Sequence, residues 1–165
     1  ASRPFISNGL SSADLCARTL FRHDIMAGKK ILIVDDNQII LKTLSMKLAG
    51  GDFEVLTAAD GSDAVRTARE KKPDLIILDI GFPPDVAHGG GVPWDGFLII
   101  QWLRRMDEAR DTPIIIITQS DSAEYKARAL EAGACAFFNK PINHDELLAC
   151  IRQTLGIDAA VHPAP

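Results

Sequence analysis

The sequence is poor in cysteine: Cys16, Cys135 and Cys150 are its only three, odd in number and without C-x-x-C spacing. That pattern gives neither a disulfide framework nor a cysteine zinc site, and a reducing cytoplasm is the default compartment. No continuous apolar run approaches the roughly 18 residues needed to cross a bilayer. A basic surplus is also lacking, since 18 Lys and Arg stand against 22 Asp and Glu, a formal net charge of −4. A dedicated binder of nucleic acid or of an anionic membrane usually needs the opposite balance to replace counterions, so neither partner is expected. His23, His88, His144 and His162 show no ligand spacing.

What is present is a hydrophobic content of 47% in 165 residues, enough to build one core with length to spare. Ile31-Leu32-Ile33-Val34, Phe53 to Leu56, Leu75-Ile76-Ile77-Leu78 and Ile114-Ile115-Ile116-Ile117 have the length of strands. Three of them do not alternate with polar residues, which suits strands covered on both faces. Cys135 to Phe138 is a fifth, weaker run.

Helical signals separate the runs. Ile40, Leu41, Leu44 and Leu48 recur at three- and four-residue spacing in a segment from Gln38 that stops at Gly50-Gly51. Asp60 offers a cap for a helix ending before Lys72-Pro73, and Asp95 for one through Met106. Asp121-x-x-Glu124 opens a helix closed by Gly133, and Asn143-x-x-Glu146 one closed by Gly156. Strand and helix thus alternate five times. That order predicts an α/β fold with a parallel sheet, right-handed crossovers and helices on both faces.

In such a sheet the functional site lies beyond the carboxyl ends of the strands, near the point where strand order reverses. The residues standing there are Asp35-Asp36, Asp79, Thr118 and Asn139-Lys140-Pro141. Carboxylates gathered this closely repel unless a cation neutralises them, and oxygen-only ligands suit Mg²⁺, which keeps several waters and often binds alongside a phosphate. One carboxylate could then attack a phosphorus atom while Lys140 and the Thr118 hydroxyl stabilise the equatorial oxygens. Taken singly, each of these residues is equally well a helix cap or a solvated surface group.

Together they resemble the receiver domain of two-component response regulators. The matching stretches are Ile31 to Asp36, Leu75 to Asp79 with Pro83 beyond it, Trp94-Asp95-Gly96, Ile114 to Thr118, and Phe137 to Pro141, within residues 29–156. The resemblance implies a doubly wound, flavodoxin-like (βα)5 sandwich with strand order 2-1-3-4-5. It implies that Asp79 is phosphorylated by a histidine kinase or phosphotransfer protein, with Mg²⁺ or Mn²⁺ held by Asp35, Asp36, Asp79 and the backbone carbonyl of Gly81. Thr118 would be the switch hydroxyl, Lys140 the partner of the phosphoryl group, and Phe137 either an aromatic switch or a core side chain. The Lys140-Pro141 bond is cis in this family. An output partner would read the face formed by helix 4, strand 5 and helix 5, and a homodimer is a further use of the surface. Catalysis would be confined to the domain's own phosphorylation and dephosphorylation.

Three features depart from the family pattern. Pro84 to Pro93, with Gly89-Gly90-Gly91 at its centre, lengthens the loop after Asp79 and is either a lid, a partner contact or a spacer. Gln119 follows the switch Thr, where a small residue is usual; it narrows access, donates to phosphoryl oxygens or points away. Residues 1–28 are either an extra helix or a remnant upstream of a natural start at Met26, and they lack the apolar centre of a targeting peptide. The domain boundaries expected are therefore 1–28, 29–156 and a tail, 157–165.

Two other motifs fail. Ala27-Gly28-Lys29-Lys30 lacks the first glycine and the hydroxyl of a phosphate-binding loop and precedes a strand, and His88-Gly89-Gly90-Gly91 has no G-x-S-x-G partner. The rival reading is a pseudo-receiver, a protein-binding module that is never phosphorylated. A hydrolase on a similar sheet is disfavoured because Asp79-Ile80-Gly81 lacks the paired acid of aspartate-nucleophile phosphatases.

Overall fold

The computed structural model describes residues 28–50, 53–81, 96–119 and 122–157. The unbroken apolar runs become the centre of a sheet. β1 (Lys30–Val34), β2 (Glu54–Ala58), β3 (Leu75–Asp79), β4 (Ile114–Thr118) and β5 (Ala136–Asn139) pair in parallel in the order β2-β1-β3-β4-β5. Every residue of β3 and β4 is buried, as expected for strands with helices on both sides. β2 begins one residue later than its apolar run, because Glu54 pairs with Lys30 while buried Phe53 stays outside the ladder.

Among the described residues five helices cover the sheet: α1 (Gln38–Ala49), α2 (Gly61–Lys71), α3 (Gly96–Arg105), α4 (Ala123–Glu131) and α5 (His144–Thr154). Alternation along β1 divides the core. Ile31 and Ile33 point to one side, where Leu41, Leu44 and Leu48 of α1 and Leu147 and Ile151 of α5 close over them. Leu32 and Val34 point to the other, under Ala64 and Ala68 of α2, Ile100 and Leu103 of α3 and Ala129 of α4.

Local chemistry sets the helix ends. Asn37 accepts from Ile39 N–H at 2.9 Å, Asp60 from Asp63 N–H at 2.7 Å, and Asn143 from Asp145 N–H at 3.1 Å. α4 is capped by Ser122, whose hydroxyl accepts from Tyr125 N–H. The sequence pattern had suggested Asp121; Ser122 fits because Tyr125 is its own N3 residue. Gly133 and Gly156 take positive φ values of 91° and 70° just past α4 and α5, where a glycine closes a helix most easily. α3 ends at Arg105, one residue before the expected Met106. The expected leader, the loop 84–93, Pro83, Trp94, the cap Asp95 and the tail after 157 lie outside the described residues, as does Cys16. No helix among the described residues is long and apolar enough to cross a membrane.

Candidate functional site

The strand order reverses between β1 and β3, and the carboxylates stand at the carboxyl ends of those two strands. Asp35 follows β1 directly and is completely buried; Asp36 next to it is exposed; Asp79 closes β3 and is 4% exposed. Each can place a carboxylate oxygen within 4.8 Å of the others.

Backbone groups aim two of them. Asn37 N–H donates to Asp35 Oδ1 at 2.8 Å, and Gly81 N–H donates to Asp79 Oδ1 at 2.7 Å. Both donors come from turns that follow a strand, so their direction depends on backbone geometry that a sequence pattern does not carry. Gly81 was singled out for its carbonyl; what the structure adds is its N–H on Asp79. A Cβ at Gly81 would lie 3.2 Å from the same carboxylate oxygen, so the small residue keeps this approach open.

Lys140 supplies the cation. It follows β5, the Lys140–Pro141 bond is cis, and Lys140 N–H donates to the Thr118 carbonyl at 2.8 Å, which fixes the start of the side chain against β4. The ammonium then donates to Asp35 Oδ2 at 2.7 Å and to Asp79 Oδ2 at 2.6 Å. Burial disfavours the charged amine, yet hydrogen bonds to the two carboxylates together hold its pKa above the usual lysine value of 10.5. Asp35 moves the other way from most paired carboxylates. Its complete burial pushes the carboxyl above 3.8, and the bond from Lys140 offsets only part of that cost.

Thr118 is buried at the end of β4, one residue beyond Ile117, the register partner of Asp79. Gln119 next to it is exposed. Phe137 on β5 pairs with Ile116 and is half-buried against the cluster shared by α2, α3 and α4. The structure thus brings Asp35, Asp36, Asp79 and Lys140 into one cluster, with Thr118 and Gly81 beside it and Phe137 one step behind. Gln119 and Lys140 also line a groove of about 570 Å³ with Ile39, Ile40, Pro141 and Ile142.

Three carboxylates facing one ammonium leave a surplus of negative charge, and the donors are oxygen only. That is the donor set of a hard divalent cation such as Mg²⁺, so the residues present fit that ion. The geometry is that of a small anionic cluster able to take a divalent cation.

Comparison with known proteins agrees. The family model described as the response regulator receiver domain matches residues 31–152. The chain belongs to the response regulator receiver domain family. This receiver domain is 36% identical over 126 residues to the transcriptional regulatory protein PrrA of Mycobacterium tuberculosis, covering 76% of this chain and 49% of PrrA. The chain spans about half the length of the curated relatives it matches. Among solved structures the receiver resembles the chemotaxis protein CheY4 of Vibrio cholerae, with a TM-score of 0.68 and 32% identity, covering 78% of this chain and 99% of that one. It also resembles the receiver domain of a sensor histidine kinase from Pseudomonas aeruginosa, with a TM-score of 0.67 and 28% identity, covering 79% and 99%. That protein has a magnesium ion coordinated in its active-site cleft. The flavodoxin-like sheet order that the resemblance implies is the one observed.

Proposed function

We propose that this receiver domain accepts a phosphoryl group on Asp79 and uses the new charge to change what it binds. The observation that carries the reading is the position of Asp79: a nearly buried carboxylate at the end of β3, 2.6 Å from the Lys140 ammonium and next to Asp35 and Asp36. A carboxylate of this kind is shielded from bulk water and has its countercharge already in place.

The donor is a phosphohistidine on a histidine kinase or phosphotransfer protein. An Asp79 oxygen forms a bond to phosphorus as the bond from phosphorus to the donor imidazole breaks, and the imidazole nitrogen keeps the electron pair. Asp35, Asp36, Asp79 and the backbone carbonyl of Gly81 would hold Mg²⁺ or Mn²⁺, which when bound neutralises the carboxylates and polarises the phosphoryl oxygens. Lys140 stays near Asp79 and pairs with a phosphoryl oxygen; the Thr118 hydroxyl donates to another. Removal of the group to water restores the carboxylate, so the domain acts on itself alone.

Signalling follows from a shift between two packed states. Thr118 moves toward the phosphoryl oxygens, Phe137 moves inward behind it, and the α4–β5–α5 face changes shape. An output partner, or a second copy of the chain, reads that face. The setting is the cytoplasm, where the kinase and the metal are both available.

The test is incubation with acetyl phosphate and Mg²⁺ followed by intact mass measurement. Wild type gains one phosphoryl group, and neither Asp79→Asn nor wild type in excess EDTA does. A wild type that takes no phosphoryl group with Mg²⁺ present contradicts the reading and leaves the domain as a protein-binding module.

A further inference from the structure

The groove beside Lys140, at about 570 Å³, has the size of a small-molecule site. α1 contributes Ile39, Ile40 and Leu44 to its lining, and the segment ahead of α5 contributes Pro141 and Ile142. His144 braces that segment, since its Nδ1–H donates to the Ile142 carbonyl at 2.9 Å. Ile39 is 75% exposed, so part of this apolar lining stands open to solvent. A single exposed hydrophobic residue needs no explanation, but an apolar concavity that meets a charged site does.

Two residues join the groove to Asp79. Lys140 lines it, yet the Lys140 ammonium is bonded to Asp35 and Asp79, so the groove keeps the uncharged part of that residue. Gln119 lines it as well, directly after buried Thr118. Among the described residues of the lining there is no carboxylate, so nothing in the groove itself repels an anion. A phosphodonor that reacts at Asp79 carries its leaving group on the side of phosphorus away from the attacking oxygen. A leaving group that reaches over the rim at Lys140 and Gln119 meets apolar side chains. The matching molecule is therefore a small amphiphile, with its anionic end at Lys140 and a hydrocarbon end against Ile39 and Ile142.

We propose that this groove selects among small-molecule phosphodonors and favours acyl phosphates with a short apolar acyl chain, which lies against Ile39 and Ile142 while phosphorus is at Asp79. In the step, an Asp79 oxygen forms a bond to phosphorus as the bond from phosphorus to the acyl oxygen breaks. The acyl group leaves as a carboxylate that keeps the electron pair. The inference rests on phosphorylation of Asp79 and adds to it the class of donor and the side chains that choose it.

Butyryl phosphate and acetyl phosphate release carboxylates of nearly equal basicity and differ by two methylenes, so the pair isolates the apolar contact. Labelling of the full chain with each in Mg²⁺, followed by intact mass measurement, gives two rate constants. A methylene taken out of water favours binding about fourfold, so butyryl phosphate should label wild type about tenfold faster at equal, subsaturating concentration. In Ile39→Ser and in Ile142→Ser that ratio should fall to about three or less. In Met46→Ser it should stay as in wild type, because Met46, 69% exposed on α1, is outside the groove. The ratio is taken within one protein, so a general loss of folding or of metal binding cancels. Equal rates in wild type overturn the proposal, leave phosphorylation of Asp79 standing and assign the groove to a protein partner. A preference that both groove variants keep in full also overturns it. Labelling by neither donor overturns the proposal together with the phosphorylation reading. A measurement on wild type alone needs no transfer: butylphosphonate in Mg²⁺ should shift the methyl resonances of Ile39 and Ile142 where methylphosphonate does not, and unmoved methyls overturn the proposal.

Discussion

The Lys140 ammonium lies 2.6 Å from the Asp79 carboxylate, a contact closed across 61 residues of sequence. The same nitrogen reaches Asp35 at 2.7 Å, so one cation is shared by the two most buried acids among the described residues. Asp35 follows β1, Asp79 ends the neighbouring β3 and Lys140 follows the edge strand β5, so the pair of contacts also ties the ends of these three strands together.

Removing that cation leaves both carboxylates buried and unpaired. Lys140→Met is expected to lose about 3 kcal/mol in EDTA at neutral pH, measured by urea unfolding. The sign with pH follows from Asp35, whose burial raises its pKa above 3.8 in the folded state. A raised carboxyl binds its proton more tightly when folded, so its ionisation costs stability as pH rises through that window. The loss in Lys140→Met therefore shrinks as the pH falls toward 4. A loss that stays constant from neutral to acid contradicts the assignment.

Gly96 opens α3 against the residue that follows Asp79. A Cβ there would fall on the Ile80 backbone, with the Ile80 side chain at 2.7 and 2.8 Å. Gly96→Ala cannot be absorbed by a rotamer change, since the obstacle is main chain. We expect a loss of about 2 kcal/mol in urea unfolding and slower phosphorylation by acetyl phosphate, because the displaced segment carries Gly81 N–H away from Asp79. Wild-type stability in this variant excludes the close approach.

Asp74 anchors the start of β1 from a distance. Its carboxylate accepts from Lys29 Nζ and from Lys30 N–H, both at 2.8 Å. Partial burial opposes its charge, but the Lys29 ammonium and the Lys30 amide outweigh that and hold its pKa below 3.8. A depressed carboxyl contributes stability that is present above 3.8 and lost as pH falls through the lowered value. Because the pair is about one-third exposed, Asp74→Ala should cost about 1 kcal/mol at pH 7. The difference from wild type should fade only in strong acid.

Arg104 holds the far end of α3. It donates to the carbonyls of Arg110 and Thr112 at 2.8 Å and of Gly133 at 2.9 Å, joining the turn before β4 to the end of α4. Arg104→Ala should lose about 2 kcal/mol in thermal or urea unfolding, with Arg104→Lys recovering part of it. An unaffected Arg104→Ala would show that these carbonyls are satisfied equally well by water.

The sheet was legible because β-branched runs such as Ile114 to Ile117 have no other way to be buried in a chain this short. Their partners on the helices were legible through spacing, as with Leu41, Leu44 and Leu48. Asp35, Asp36, Asp79 and Lys140 could be placed together from one rule, that the ends of parallel strands share a rim. What the rule leaves open is direction. The aim of the Asn37 and Gly81 N–H groups depends on the turn each sits in, and the fork of Arg104 on backbone carbonyls and the contact of Gly96 with Ile80 depend on backbone paths between residues apart in sequence. No periodicity encodes those paths. The exposed pair Ile39 and Met46 was hidden for the opposite reason, since an apolar residue in an amphipathic helix reads as core whichever way it faces.

The most direct measurement is the position of the acyl phosphate. Wild type is treated with acetyl phosphate and Mg²⁺, the product is reduced with borohydride, and the modified residue is located by peptide sequencing in the mass spectrometer. The account expects homoserine at position 79 and unmodified Asp35 and Asp36. Reduction product at Asp35 or Asp36, or at none of the three, contradicts it.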